Sequence, residues 1–222
     1  ELFDYLRELK GARVFVHGGH DKLMEVSEGL ERSIFGTEEM KPVVRFEMDG
    51  GRKFVWAEQG YESKSRDIQL EGDYNLDNIA AAISIGRYFG VGREDVGKAV
   101  SDYVPSNNRS QVVKTASNKI LLDAYNANPS SMEKALESFA KNNKGDRLVI
   151  LGEMRELGDF SFESHKRVVA LCAELGLDGI FVGVQFYKVK EFEGGTGRFY
   201  EGVEGLALEI EENKVMGKII LL

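Results

Sequence analysis

The spacing of apolar residues changes along this chain, and the change divides it. Over residues 1–104 short alternating stretches mix with helical ones. Leu2, Leu6 and Leu9 share one face of a predicted helix over Glu1–Lys10, and Arg13–Val16 reads as a short strand. Segments 43–48 and 53–58 read as strands separated by Asp49, Gly50 and Gly51, a hairpin signal. Ile79, Ala82, Ile83 and Phe89 then place a helix after Asn75, and a second is predicted from Arg93 to Tyr103 beyond Gly90 and Gly92. At Pro105, Ser106, Asn107 and Asn108 a proline and a polar cluster break the helical pattern, which marks a domain boundary. Beyond it, apolar runs at 119–123, 147–151, 179–182 and 218–222 alternate with helical patterns at 129–142, 162–175 and 203–212. That rhythm predicts right-handed crossovers and a mostly parallel sheet covered on both faces, in an α/β chain of two parts, 1–104 and 105–222.

The most informative stretch is Ile120 to Met132. Three apolar residues run into Asp123, a polar turn follows, and Asn128 and Pro129 suit the cap and first position of a helix. Met132, Leu136 and Phe139 fall on one face of that helix. Because ligands of open parallel sheets sit beyond the carboxyl ends of strands, Asp123, Tyr125, Asn126 and Asn128 are candidate contacts.

Other constellations carry two readings each. In GDYNLDNIAAA, Asn75 suits a helix cap and Asp77 complements the positive helix end. Asn75 and Asn78 also lie one turn apart, so both carboxamides can face one side and offer donors and acceptors to a purine edge. Arg109 is either a surface residue or a guanidinium that grips phosphate through paired hydrogen bonds. Glu153, Glu156 and His165, from LGEMRELGDFSFESH, suit either binding of an amino group and proton transfer or capping of the helix near Phe162, with Ser161 as the first capping side chain. His17, His20 and Asp21 lack the further His or Cys that would complete a tetrahedral metal site, so a polar loop is the simpler reading. GREDVGKA has Ala99 where a phosphate loop needs Ser or Thr, and it follows a helix rather than a strand.

Composition narrows the classes. A net charge of -8 without a basic stripe argues against a nucleic-acid binder. No apolar run approaches the roughly 20 residues of a membrane span, and no leader pattern opens the chain, which together point to the cytoplasm. The single Cys172 excludes an internal disulfide and falls in an apolar helical pattern, where packing is its expected role. The chain opens at Glu1 and closes on the strand-like Ile219–Leu222, which leads to the expectation of a piece of a longer polypeptide.

GDYNLDNIAAA, NNRSQ, DAYNANPSSM, LGEMRELG and the trailing His165 stand in an order and spacing that resembles the Mur ligases, over most of the chain. The wording of DAYNANPSSM and LGEMRELG is most similar to the branch that adds D-alanyl-D-alanine to UDP-N-acetylmuramoyl-tripeptide in peptidoglycan synthesis. The resemblance implies the last part of a central ATPase domain over 1–104, then a Rossmann-like C-terminal domain over 105–222, from a monomeric cytoplasmic enzyme. It further implies ATP with Mg2+ and an acyl-phosphate route. Asn75 and Asn78 would lie on the adenine, Arg109 on phosphates, Asp123 on the ribose, and Tyr125, Asn126 and Asn128 on the nucleotide or dipeptide edge. Glu153, Glu156 and His165 would lie on the dipeptide side. The family's phosphate loop, metal-binding acid and carbamylated lysine have no counterpart in this sequence, so no metal ligand is assigned and the chain alone is expected to be inactive. Tyr74 also replaces the family's usual histidine, and nothing is carried over to the His17–Asp21 loop. Two alternatives remain: a related amide ligase of the folylpolyglutamate synthase type, and a non-catalytic Rossmann-like binding module. A nicotinamide oxidoreductase is disfavoured, because no glycine fingerprint follows the first strand of the parallel sheet.

Overall fold

The computed structural model describes residues 2–48, 52–106, 108–124, 126–193 and 197–222, with the backbone alone at 191–193. The chain forms two compact units, Glu1–Gln69 with Asp73–Val104, and Leu70–Gly72 with Pro105–Leu222.

The first unit contains α1 (Leu2–Glu8), β1 (Arg13–His17), α2 (Asp21–Val26), β2 (Glu31–Phe35), β3 (Val43–Met48), β4 (Arg52–Glu58), β5 (Tyr61–Glu62), β6 (Arg66–Asp67), α3 (Asn75–Tyr88) and α4 (Arg93–Asp102). β1 and β2 pair in parallel, with His17 opposite Phe35 at their carboxyl ends. β3 and β4 form the expected antiparallel pair, whose turn at Asp49–Gly51 lies outside the described residues. Phe54, Val55, Trp56 and Ala57 of β4 are all buried, as are Ile79 and Ile83 of α3. Gly97 falls inside α4, where a Cβ would stand 3.0 Å from Arg66 Nε and 3.4 Å from Trp56 Nε1. GREDVGKA is therefore a helix start packed at Val96 and Gly97 and no phosphate loop.

The second unit adds β7 (Gln111–Lys114), β8 (Lys119–Leu122), α5 (Pro129–Asn142), β9 (Arg147–Gly152), α6 (Ser161–Glu174), β10 (Asp178–Val182), α7 (Val184–Glu193), β11 (Arg198–Tyr200), α8 (Val203–Glu212) and β12 (Ile219–Leu221). One sheet runs β11-β10-β9-β12-β8-β7, parallel throughout except for the antiparallel edge pair β7–β8. Alternation along each strand sorts its apolar residues to two faces. Leu121, Val149, Leu151, Phe181 and Leu221 join Leu136 and Phe139 of α5, Val168 and Cys172 of α6, and Phe186 and Val189 of α7. Leu148, Ile180, Val182 and Ile220 form the opposite layer with Leu206 of α8. Burial on both faces is why these strands read as nearly unbroken apolar runs. Burial also pushes the Cys172 thiol up to about 12, which fits a packing role.

The pattern of apolar residues missed α2, β2, β5, β6, β7, α7 and β11, and one of its two readings made Asn75 a cap. Asn75 is instead the first residue of α3, after Tyr74 at the cap position. Ser161 likewise lies inside α6, after Phe160, rather than capping it.

Leu136 is fully buried and Leu208 largely exposed. Leu136→Ala is expected to lower stability by about 2–5 kcal/mol, whereas Leu208→Ala should stay within about 0.5 kcal/mol, both read from urea unfolding midpoints.

Candidate active site

The β8–α5 loop is fixed at both ends. At its start the Asp123 N–H donates to Leu222 O at 2.7 Å, which extends the β8–β12 pairing, and Asp123 Oδ1 accepts from the Ser110 N–H at 3.0 Å. That second bond reaches back to the segment after the unit boundary, where Asn108 (φ 57°) and Ser110 (φ 49°) both take the left-handed conformation. Such backbone costs about 1–3 kcal/mol for a non-glycine residue and persists where surroundings fix it. Here Asp123 is one such fixture, and the exposed Arg109 stands between the two strained residues.

At the other end Asn128 caps α5. Its Oδ1 accepts from the Ser131 N–H and from the Ser130 hydroxyl, each at 3.0 Å, while its own N–H donates to Ser131 Oγ at 3.3 Å. Pro129 takes the first helical position. With Oδ1 engaged in the cap, the amide NH2 is the part of Asn128 suited to a ligand. Asn126 is exposed between these anchors, and Tyr125 lies outside the described residues.

The β9–α6 loop follows a different logic. Glu153 Oε2 accepts from the Gln185 N–H at 3.1 Å, so it caps α7 rather than the helix near Phe162. Its carboxylate meets the positive end of that helix. Gly183 (φ +119°) makes room, since a Cβ there would stand within 2.8 Å of Glu153 side-chain atoms. Glu156 is exposed and left-handed at φ 61°.

His165 must be reassigned. It is 0% exposed, and both ring nitrogens bond within the fold. The Met154 N–H donates to Nε2 at 3.0 Å, so the proton sits on Nδ1, which donates to Ser161 O at 2.6 Å. Phe186 packs edge-on at 4.6 Å between ring centres. A ring so enclosed does not touch a substrate; it braces the loop that carries Glu153 and Glu156. Burial pushes His165 below the usual imidazole range, against the opposing pulls of Ser161 O and the Glu153 charge.

In the first unit, Asn78 Nδ2 donates to Asn75 Oδ1 at 3.1 Å. Asn75 is buried and Asn78 exposed, so the two carboxamides form one hydrogen-bonded patch on the first turn of α3. Asp77, between them, pairs with His17, a contact for which the sequence offered no signal beyond proximity to the two Asn residues.

A sequence profile of the Mur ligase, glutamate ligase domain matches residues 108–185. Over 162 residues the chain is 33% identical to the UDP-N-acetylmuramoyl-tripeptide D-alanyl-D-alanine ligase of Bacillus subtilis, covering 69% of this chain and 35% of that protein. Residues 108–185 thus match a Mur ligase domain, and the chain is similar to Mur ligases over most of its length. Among solved Mur ligases, MurF from Acinetobacter baumannii shares the fold at a TM-score of 0.79 and 22% identity, over 99% of this chain and 50% of that one. MurF from Thermotoga maritima, solved in complex with ADP, matches at a TM-score of 0.76 and 17% identity, over 95% of this chain and 49% of that one. The chain thus spans about a third to a half of the Mur ligases it matches.

Two outcomes follow from the β9–α6 loop. Unfolded His165 takes up a proton near pH 6.5, whereas the folded ring resists until lower pH. The unfolded state therefore binds more protons below that point, and stability falls as pH drops through it. Urea titrations at pH 7.5 and 5.5 should show this loss, and His165→Gln, which keeps an acceptor for Met154, should reduce it. Glu153→Ala should cost about 1–2 kcal/mol through the lost cap, and Glu153→Gln, which retains an acceptor, less than half of that, by the same titration.

Proposed function

We propose that this chain is part of an ATP-dependent amide ligase that joins D-alanyl-D-alanine to UDP-N-acetylmuramoyl-tripeptide. In this reading residues 1–104 are the last portion of the central ATPase domain and residues 105–222 the C-terminal domain. The observation that carries it is the 33% identity to the Bacillus subtilis ligase across 162 residues. Exposed polar residues such as Asn126 and Glu156 in the loops after β8 and β9 support it.

In the proposed reaction a carboxylate oxygen of the tripeptide attacks the γ-phosphorus of ATP, and the bond to the leaving ADP breaks. The dipeptide amine then attacks the acyl carbon, and the tetrahedral intermediate expels inorganic phosphate. Such chemistry rests on positioning and on charge neutralisation of the phosphates. The Asn75–Asn78 pair offers the donor and acceptor that an adenine edge requires. Arg109, raised on its strained segment, supplies charge for a phosphate, while Asp123 sets that segment and faces the ribose. Asn126, Asn128 and Tyr125 shape the nucleotide or dipeptide edge. Glu156, with Glu153 beside it, supplies negative charge for the dipeptide ammonium. Among the described residues no group of three or more His, Cys, Asp or Glu could hold a metal ion, so no residue is assigned to Mg2+. No described helix is long and apolar enough to cross a membrane. A monomeric cytoplasmic enzyme completes the proposal.

The test is phosphate release from ATP by the full-length protein with UDP-N-acetylmuramoyl-tripeptide. Release is expected to depend on D-alanyl-D-alanine; dependence on glutamate and a reduced folate instead would replace the reading with the folylpolyglutamate synthase type. Arg109→Ala should lower kcat/KM for ATP about 10- to 100-fold, the loss of a charge-assisted contact. Isolated 1–222 should form no peptide bond.

A further inference from the structure

His17 lies at the carboxyl end of β1 and has no role in the chemistry above. Its ring is held by four neighbouring groups. The Gly19 N–H donates to Nδ1 at 3.1 Å, so the ring proton sits on Nε2, 3.1 Å from Asp77 Oδ1. Phe35 and His20 meet the ring edge-on at 5.6 Å and 5.4 Å between centres. Gly36, at φ +91°, follows β2 where any Cβ would fall inside the imidazole. The loop is therefore shaped around this ring, and both nitrogens are engaged inside the fold. That arrangement suits a strut.

What the strut supports is specific. Asp77 belongs to the first turn of α3, whose cap position, Tyr74, makes no side-chain capping bond. Asn75 and Asn78 stand on the same turn, on either side of Asp77 in sequence. We propose that His17 is a positioning residue: its bond to Asp77 fixes the first turn of α3 against the end of β1 and so sets the angle of the Asn75–Asn78 amide pair. This rests on the reading that the amide pair meets the adenine ring. An adenine edge presents a donor beside an acceptor, and guanine presents two acceptors, so amide angle controls the choice between them.

The experiment uses the full-length protein and compares ATP with GTP by equilibrium binding, alongside NMR of the Asn75 and Asn78 side-chain amides. His17→Ala and Asp77→Ala should each reduce the ATP-over-GTP preference about three- to tenfold, a change of up to about 1.4 kcal/mol, and should shift the Asn78 NH2 resonances toward those of an unbonded amide. His17→Gln, whose amide nitrogen can donate in place of Nε2, and Asp77→Asn, whose Oδ1 can accept, should keep both properties near the unsubstituted protein. A general structural role would instead weaken ATP and GTP alike with the ratio unchanged, and that result overturns the proposal. Unchanged amide resonances in His17→Ala overturn it as well. If the amides shift but the unsubstituted protein shows no adenine preference, the strut stands and the nucleotide reading fails.

Discussion

The second unit depends on where β12 inserts. Three residues, Ile219 to Leu221, pair with β8 on one side and β9 on the other, so Ile220 faces both Ile120 and Leu148. Backbone bonds extend the seam past the strand ends, from Lys119 N to Lys218 O and from Asp123 N to Leu222 O. The last strand in sequence thereby separates the first two strands of the parallel run. It sets the distance between the loop after β8 and the loop after β9, the two stretches that carry most of the candidate chemistry. A parallel strand has no local turn to fix its register, so the alternation of Ile220 to one layer and Leu221 to the other must do it.

Elements with local signals were legible. Helix α5 was readable to its ends because Asn128, Pro129 and the Leu136–Phe139 stripe lie within a dozen residues of each other. Helix α7 was not, because Val184–Glu193 is rich in β-branched and aromatic residues and its cap is Glu153, 32 positions upstream. Strands β2 and β11 are five and three residues long, and β11 takes its place only by pairing with β10. The site divides similarly. That Asn75 and Asn78 face one side follows from helical spacing alone, whereas the burial of His165 under Phe186 depends on a residue 21 positions away that no local pattern joins to it.

Residue types that suggest catalysis in a sequence can serve architecture in the fold. Glu153 caps a helix, Asn128 caps another, and Asp123 fixes a strained turn. Both His17 and His165 act as double-ended braces, in opposite tautomers: His17 carries its proton on Nε2, and His165 on Nδ1. In each case the choice is imposed by a backbone N–H that occupies the other nitrogen. A side chain held this way is well placed to hold a loop, because an imidazole bonded at both ends has little rotational freedom left.

This separates two kinds of polar residue at the strand ends. One kind is bonded within its own unit and fixes backbone: Asp123, Asn128, Glu153 and His165. The other stands exposed on the backbone so fixed: Asn126 before Asn128, and Glu156 two residues after Met154. Asn126 and Glu156 each lie within three residues of a bonded one. Since burying a polar group without a partner costs about 1–3 kcal/mol, the bonded set forms on folding regardless of ligand. The exposed set is then presented by a backbone already ordered, and little conformational entropy remains to be lost when a substrate arrives.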